Sequence, residues 1–291
     1  MKTNAIVRIV IFSVLILALL GALIAGIALG AFANNIELNW DASMSDGTVE
    51  SRGFVEASAI KELDVEWVSG NITIKTADTD KISFSETDGL DSENQLVWKQ
   101  SGDKLIIQFQ KPKVFFGFSF GLNTNMSKEL LIIVPANWNA KEINIESVSA
   151  DLEIADLTAD EMNLSNVSGK CELNRCSILD ANIETVSGEV DYTGSLSTIE
   201  LNSVSADCSL NLTKGTKSIT MECVSGDLTL TIPRDQGFTV ELDGLKDRFI
   251  SEFATTFKND KYRYGDESCR IEGEAVSGSI HIYEAMEPAD S

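Results

Sequence analysis

From Ile143 to Leu230 the chain alternates apolar and polar residues. One set of apolar pairs is Ile143 and Ile145, Met162 and Leu164, Ile199 and Leu201, and Ile219 and Met221. A second set is Leu152 and Ile154, Cys171 and Leu173, Val190 and Tyr192, Cys208 and Leu210, and Leu228 and Leu230. Period-two alternation marks strands with one buried face. A helical reading fails, because apolar positions would then recur at three and four.

Between the two sets stands a tripeptide, Val-Ser-Gly or Val-Ser-Ala. It begins at Val148, Val167, Val186, Val204 and Val224, in steps of 19, 19, 18 and 20 residues, with outlying copies at Val68 and Val276. A fixed short period marks an array in which each unit buries its apolar face against the next. Each unit here reads as strand, sharp turn, strand, second turn, and two strands of about five residues plus two corners fill roughly 19 residues. The Val is expected to pack inward, with the small Gly or Ala suiting a tight bend. Stacking at about 4.8 Å per rung predicts an all-β fold, a parallel β-solenoid whose five central rungs span roughly 24 Å. Right-handed coiling follows from the usual crossover preference.

The organisation predicted is a transmembrane anchor or signal segment over 1–33 and a polar tether over 34–58. A β region with the first rung covers 59–140, and the repeats cover 141–287 with a C-terminal excursion and a final rung. Leu63, Val65 and Trp67, followed by Ile72 and Ile74, make one rung. Ile82 and Phe84, Leu96 and Trp98, Leu105 to Phe109, and Leu131 to Val134 predict further strands, with turns at Asp88-Gly89 and Ser101-Gly102-Asp103. Phe115, Phe116, Phe118 and Phe120 interrupt the pattern as an edge strand or capping loop, or as an exposed aromatic loop. After Pro233 the period lapses until Cys269–Ile282 rebuild a rung, and the aromatic-rich interval between is expected to cap the array.

Candidate chemistry is sparse. Ser69, Ser149, Ser168, Ser187, Ser205, Ser225 and Ser277 invite comparison with nucleophiles, but a serine nucleophile needs a base and an orienting group. The one histidine, His281, cannot serve seven serines. The serines are expected to satisfy backbone groups at the corner and to stack. No catalytic, cofactor-binding or metal-binding residue is assigned.

Outward columns carry the charge. Glu146, Ser165, Glu184, Asn202 and Glu222 share one, and Glu153, Glu172 and Asp191 occupy three successive rungs of another. A third holds Asp151, Lys170, Glu189, Asp207 and Asp227. A solvated face is the preferred account. A divalent cation between carboxylates of adjacent rungs is the alternative.

Five cysteines in an exported chain raise the question of disulfides. Cys171 and Cys208 share an inward column with Val190's rung between them, too far apart to bridge. Cys223 is placed on an outward column and Cys176 at the far turn. No disulfide framework and no zinc site is expected.

The formal charge of −22, with 45 acids against 23 bases, excludes a basic stripe for nucleic acid. It equally disfavours binding of the body to anionic lipid. Four prolines and 43% apolar residues describe a folded chain. At the N-terminus, Lys2 and Arg8 precede an uncharged stretch of 25 residues, Ile9 to Ala33. That length crosses a bilayer core of about 30 Å, although Ala31-Phe32-Ala33 also has the form of a cleavage site. An uncleaved anchor is preferred to a cleaved signal, and either leaves the body extracytoplasmic.

The repeated tripeptide with its flanking aliphatics, and its return at Ala275-Val276-Ser277-Gly278-Ser279-Ile280, resembles a bacterial adhesin-like family of unknown function. That family is common in Gram-positive envelope proteins, and the likeness covers roughly Ile60 to Tyr283. The resemblance implies an extracytoplasmic β-solenoid, sometimes near envelope-stress regulators, and brings no catalytic residues. A non-enzymatic, membrane-anchored surface binding module is the first expectation, with an envelope protein or cell-wall component as partner. A membrane-tethered accessory of envelope-stress sensing is the second. A polysaccharide-cleaving β-helix is the third, and it lacks the basic partner that clustered carboxylates would need.

Overall fold

The computed structural model describes residues 44, 46–87, 95–109, 127–243 and 248–285. The apolar stretch 9–33 and the Phe115–Phe120 segment lie outside them, as does Asp88-Gly89. Among the described residues no helix is long and apolar enough to cross a membrane. Apart from a single 3-10 turn at Ala57–Ala59, the described secondary structure is β, and its strands are hydrogen-bonded into one ladder.

The alternating pairs become two arms of each rung. The first-arm strand carries Leu63, Ile143, Met162, Ile219 and Ile271 inward, and the second-arm strand carries Ile72, Leu152, Cys171, Leu228 and Ile280, each at most 2% exposed. Parallel pairing sets Ile143 beside Met162, Ile219 beside Ile271, Leu152 beside Cys171, and Leu228 beside Ile280. Apolar side chains in one column bury each other from rung to rung, which is why a short period builds one continuous core.

The strands run longer than the sequence suggests. In chain order, β1 (Thr48–Val49), β2 (Arg52–Glu56), β3 (Glu62–Ala77), β4 (Lys81–Glu86), β5 (Val97–Ser101), β6 (Lys104–Gln108) and β7 (Lys128–Pro135) precede the central array. That array is β8 (Asn139–Ala155), β9 (Thr158–Ser168), β10 (Lys170–Leu212), β11 (Ser218–Ser225) and β12 (Leu228–Ile232). The tripeptide therefore bends β3 and β8 without ending them, and the 43-residue β10 passes through two tripeptides and the corner between them.

At the bend the expected inward Val is corrected. Val148, Val167, Val186, Val204 and Val224 are only half-buried, and Val276 is 55% exposed. The inward position belongs to the residue before each Val: Trp67, Ser147, Asn166, Thr185, Ser203, Cys223 and Ala275 are all buried. Alternation from Ile143 and Ile145 leads to Ser147, whereas Leu152 and Ile154 lead back to Ala150. The parity changes across the corner, so Val and Ser must both point away from the core. For the same reason Cys223 faces inward, 1% exposed, and not onto an outer column.

Gly and Ala are not equivalent at this corner. Gly169, Gly188 and Gly226 take φ of 127°, 134° and 154°, and a methyl on each would overlap a carbonyl oxygen of the neighbouring rung, that of Ala150, Gly169 and Ala206 respectively. Ala150 and Ala206 have no positive φ and bury their methyls at 1% and 2% exposure. At the second corner Asp156 and Arg175 occupy the left-handed region, φ 58° and 53°, and are joined by a two-pronged ion pair of 2.6 and 2.7 Å.

Each end of the stack is finished by an excursion. Outside β3 lie β6 and β7, then β5 and β4, then β1 and β2. The last residues of the expected tether are thus strand, with Phe54 opposite Ser83 and Val55 opposite Ile82. At the other end are β13 (Phe238–Asp243), β14 (Phe249–Ser251), β15 (Thr256–Lys258), β16 (Lys261–Tyr264), β17 (Cys269–Ser277) and β18 (Ile280–Glu284). The rung formed by β17 and β18 sits between β11–β12 and β13–β14, so the aromatic-rich interval does cap the array, as an extra rung plus the β15–β16 hairpin.

Candidate functional site: the acidic outer face

Residues between the inward ones of the first arm project outward in matched columns. Glu62, Glu142, Glu161 and Asp180 form one, and Asp64, Asn144, Asn163 and Asn182 the next. Glu66, Glu146, Ser165 and Glu184 form a third, continued by Asn202, Glu222 and Glu274. The predicted alternation of acid and neutral residues holds in the centre of this column. It lapses at its ends, where Glu66 adjoins Glu146 and Glu222 adjoins Glu274.

Amide side chains knit this face. Asn163 donates to Asn144 Oδ1 at 3.0 Å and to Glu161 at 3.0 Å, and Asn144 donates to Glu142 at 2.8 Å. The buried Asn182 Oδ1 finds no donor, and one period further on stands Glu200, a carboxylate with none to give. Lys141 reaches Glu62 at 2.6 Å, and Lys104 reaches Glu62 at 3.4 Å and Asp64 at 3.8 Å. Those lysines, Lys141 first, hold the Glu62 carboxyl below its usual range. Burial pushes Asp64 up despite Lys104, with Glu142 and Glu62 adding repulsion. Burial, then the nearby Asp64 charge, also raises Glu146. The face is therefore a close-set carpet of carboxylates and amides, crowded enough that two acids resist ionisation.

The second-arm column of Glu153, Glu172 and Asp191 is built differently from a cation site. The Lys170 ammonium lies 2.8 Å from Asp191 and 3.4 Å from Glu172, where a bound ion would have to sit. The Lys170 backbone N–H meanwhile donates to Asp151 at 2.8 Å. Among the described residues no group of three or more His, Cys, Asp or Glu is placed to hold a metal.

The corner serines behave as backbone partners. Ser168, Ser187 and Ser277 donate to the carbonyls of Val148, Val167 and Val224, each at 3.4 Å, and Ser149 stacks on Ser168 and Ser225 on Ser277. His281 Nδ1 lies 3.1 Å from the Tyr283 hydroxyl. All five cysteines are free and buried. Burial pushes Cys171, Cys176 and Cys223 up to about 11 and Cys208 and Cys269 up to about 12.

Two polar features escape a reading of the sequence. Inside the corner, Ser147 donates to Asn166 Oδ1 at 2.9 Å, while Asn166 Nδ2 reaches the Ala150 and Gly169 carbonyls at 3.4 and 3.5 Å. The parity change between Ile145 and Leu152 was the available signal. Near the N-terminal end, Lys128 and Glu86 pair at 2.8 Å with side chains 6% and 0% exposed. Glu86 also accepts the Leu96 N–H, and Lys128 lies 4.0 Å from the Phe109 ring centre. Burial lowers the Lys128 ammonium, opposed by Glu86. No local spacing in the sequence announces that pair.

A parallel stack of two-armed rungs, closed by an excursion at either end and coated with acids, defines the class of protein. The chain belongs to the Toastrack DUF4097 family, whose model matches residues 60–198 and 180–245. No curated protein matches it. Among solved structures it is similar to a candidate cell adhesion protein from Clostridium sporogenes, at 14% identity over 82% of this chain and 100% of that one, TM-score 0.35. A candidate adhesin from Bacteroides fragilis matches at 12% identity over 80% and 96%, TM-score 0.38. A candidate lipid binding protein from Parabacteroides distasonis matches at 12% over 81% and 94%, TM-score 0.35. Likeness at this level says nothing of what this chain binds.

Proposed function

We propose that the chain is a non-enzymatic surface-binding module, held at the membrane by its N-terminal segment with the body on the extracytoplasmic side. Its acidic outer face recognises a repeating component of the cell envelope, a wall polymer bearing hydroxyl or amino groups. The supporting observation is the spacing of that face. Carboxylates and amides recur in columns from rung to rung, at about 4.8 Å. Glu62, Glu142, Asn144, Glu161 and Asn163 are bonded to neighbouring side chains beside the exposed column of Glu146 and Glu184. Such a surface offers a polymer many weak, evenly spaced contacts, and effective concentration turns those into useful affinity.

Sedimentation of the full chain with purified cell walls tests this. The triple variant Glu146→Gln, Glu184→Gln, Glu222→Gln should remain folded and lose most of the bound fraction. Equal binding by the variant overturns the role of this face. If the intact chain ignores walls but crosslinks to one membrane protein in cells, the envelope-sensing accessory takes its place.

A further inference from the structure

Among the described residues, six large apolar side chains stand well exposed, and four of them lie on the four outermost strands. They are Val49 on β1 (40%), Phe54 on β2 (59%), Ile250 on β14 (53%) and Phe257 on β15 (57%). Within the described residues each of these strands has one ladder partner: β5, β4, β18 and β16 respectively. Monomeric proteins guard free edges with short strands and charged side chains. Here the edges are short, and although β2 also carries the charged Arg52 and Glu56, β15 carries Lys258 and Lys81 lies 4.3 Å from the Phe54 ring centre, exposed Phe and Ile stand among those charges.

Strand direction adds a second observation. β1 is antiparallel to β5, β5 is antiparallel to β6, and β6 is parallel to β3, so β1 runs with the first arm. By the same count through β4 and β7, β2 runs with the second arm. At the opposite end β15 runs with the first arm through β16 and β13, and β14 with the second through β18. All four edges, each unpaired on one side among the described residues, therefore point the same way as the rungs they cover. A copy shifted along the stack would set its β1 beside β15 and its β2 beside β14, both in parallel.

The surfaces at the two ends also suit one another. At the β1–β2 end a recess of about 580 Å³ is lined by Phe54, Phe84, Trp98, Leu131 and Ile133, and the Trp98 indole N–H is buried without an acceptor. At the β14–β15 end Tyr262 lies between Phe249 and Phe257, with ring centres 4.4 and 4.8 Å apart, as an apolar ridge.

We propose that the partner of both ends is a second copy of this chain, joined head to tail so that the ladder continues from one molecule into the next. The contact is heterologous, so it propagates into open rows instead of closing as a dimer. It is independent of what the acidic face binds.

Blocking one end at a time tests the proposal. Phe54→Asp and Phe257→Asp alter exposed side chains at opposite ends, and their melting temperatures verify that the fold persists. In sedimentation velocity of the full chain in detergent, the wild type should form a concentration-dependent series of oligomers. Each variant alone should be monomeric, and an equimolar mixture should give dimers and nothing larger. A wild type that stays monomeric throughout overturns the proposal. So does either variant forming dimers by itself, since that would mean like ends pair.

Discussion

Replacing Gly188 with Ala should destabilise the array by about 4 kcal/mol, and the structure separates the causes. Holding a non-glycine residue at the 134° φ of Gly188 costs about 1–3 kcal/mol. The added methyl also overlaps the Gly169 carbonyl oxygen. That oxygen belongs to the adjacent rung, so relief needs a backbone shift costing about another 1–3 kcal/mol. Gly215 provides the control: its φ is 118°, but nothing lies within 4 Å of the new methyl. Gly215→Ala should therefore carry the conformational cost alone, about 2 kcal/mol. Ala206→Gly removes a buried methyl, about 0.8 kcal/mol, and adds about 0.5–1 kcal/mol of backbone freedom to the unfolded chain. Thermal unfolding of the three variants should give the order Gly188→Ala, Gly215→Ala, Ala206→Gly, with roughly 2–4 °C per kcal/mol. If Gly188→Ala is no worse than Gly215→Ala, the close approach between rungs at this corner is wrong.

With Lys170 occupying the Glu172–Asp191 column, millimolar calcium should move the melting temperature no further than matched ionic strength does. A calcium-specific shift that disappears on neutralising Glu153, Glu172 and Asp191 would refute that assignment. Asp64 and Glu146 hold protons more tightly folded than unfolded, so the folded state gains on acidification through the interval just above the ordinary carboxylate value and loses as pH rises through it. Asp64→Asn and Glu146→Gln should each raise stability at neutral pH and flatten that slope in denaturant titrations across pH. The five buried thiols should resist a thiol reagent at pH 8 and react together on denaturation; rapid labelling of Cys223 in the native protein would contradict its inward placement.

The rungs were legible in the sequence because columns such as Leu152 and Cys171 repeat both spacing and chemistry. The outer columns followed from the same alternation, and Glu146, Ser165 and Glu184 lie in line as expected. The corner was misread because its inward residues Ser147, Asn166, Thr185 and Ser203 are polar, the first three bonded to groups at the corner and the Ser203 hydroxyl buried without a partner, whereas the neighbouring Val looks like core. Hydropathy ranks side chains one by one and is blind to two successive residues sharing a face. Strands in the last residues of the expected tether were hidden for a related reason. Arg52–Glu56 has one inward aliphatic, Val55, and a Gly53 that leaves room for Phe84 and Trp98. The Lys128–Glu86 pair joins residues 42 apart in the chain, and only the finished fold brings them together.

The rung made by β17 and β18 follows β13 to β16 in the chain, yet it stands before β13 and β14 in the stack. It fills the gap between β11–β12 and β13–β14. Growth of the array from its N-terminal side can proceed rung by rung only as far as β12. Beyond that point β13 and β14 must wait, because the strands they pair with lie later in the chain. Docking of β13 and β14 onto the stack is thus tied to arrival of Cys269–Glu284. A chain interrupted before Cys269 would keep at β11 and β12 the edge that β17 and β18 otherwise cover.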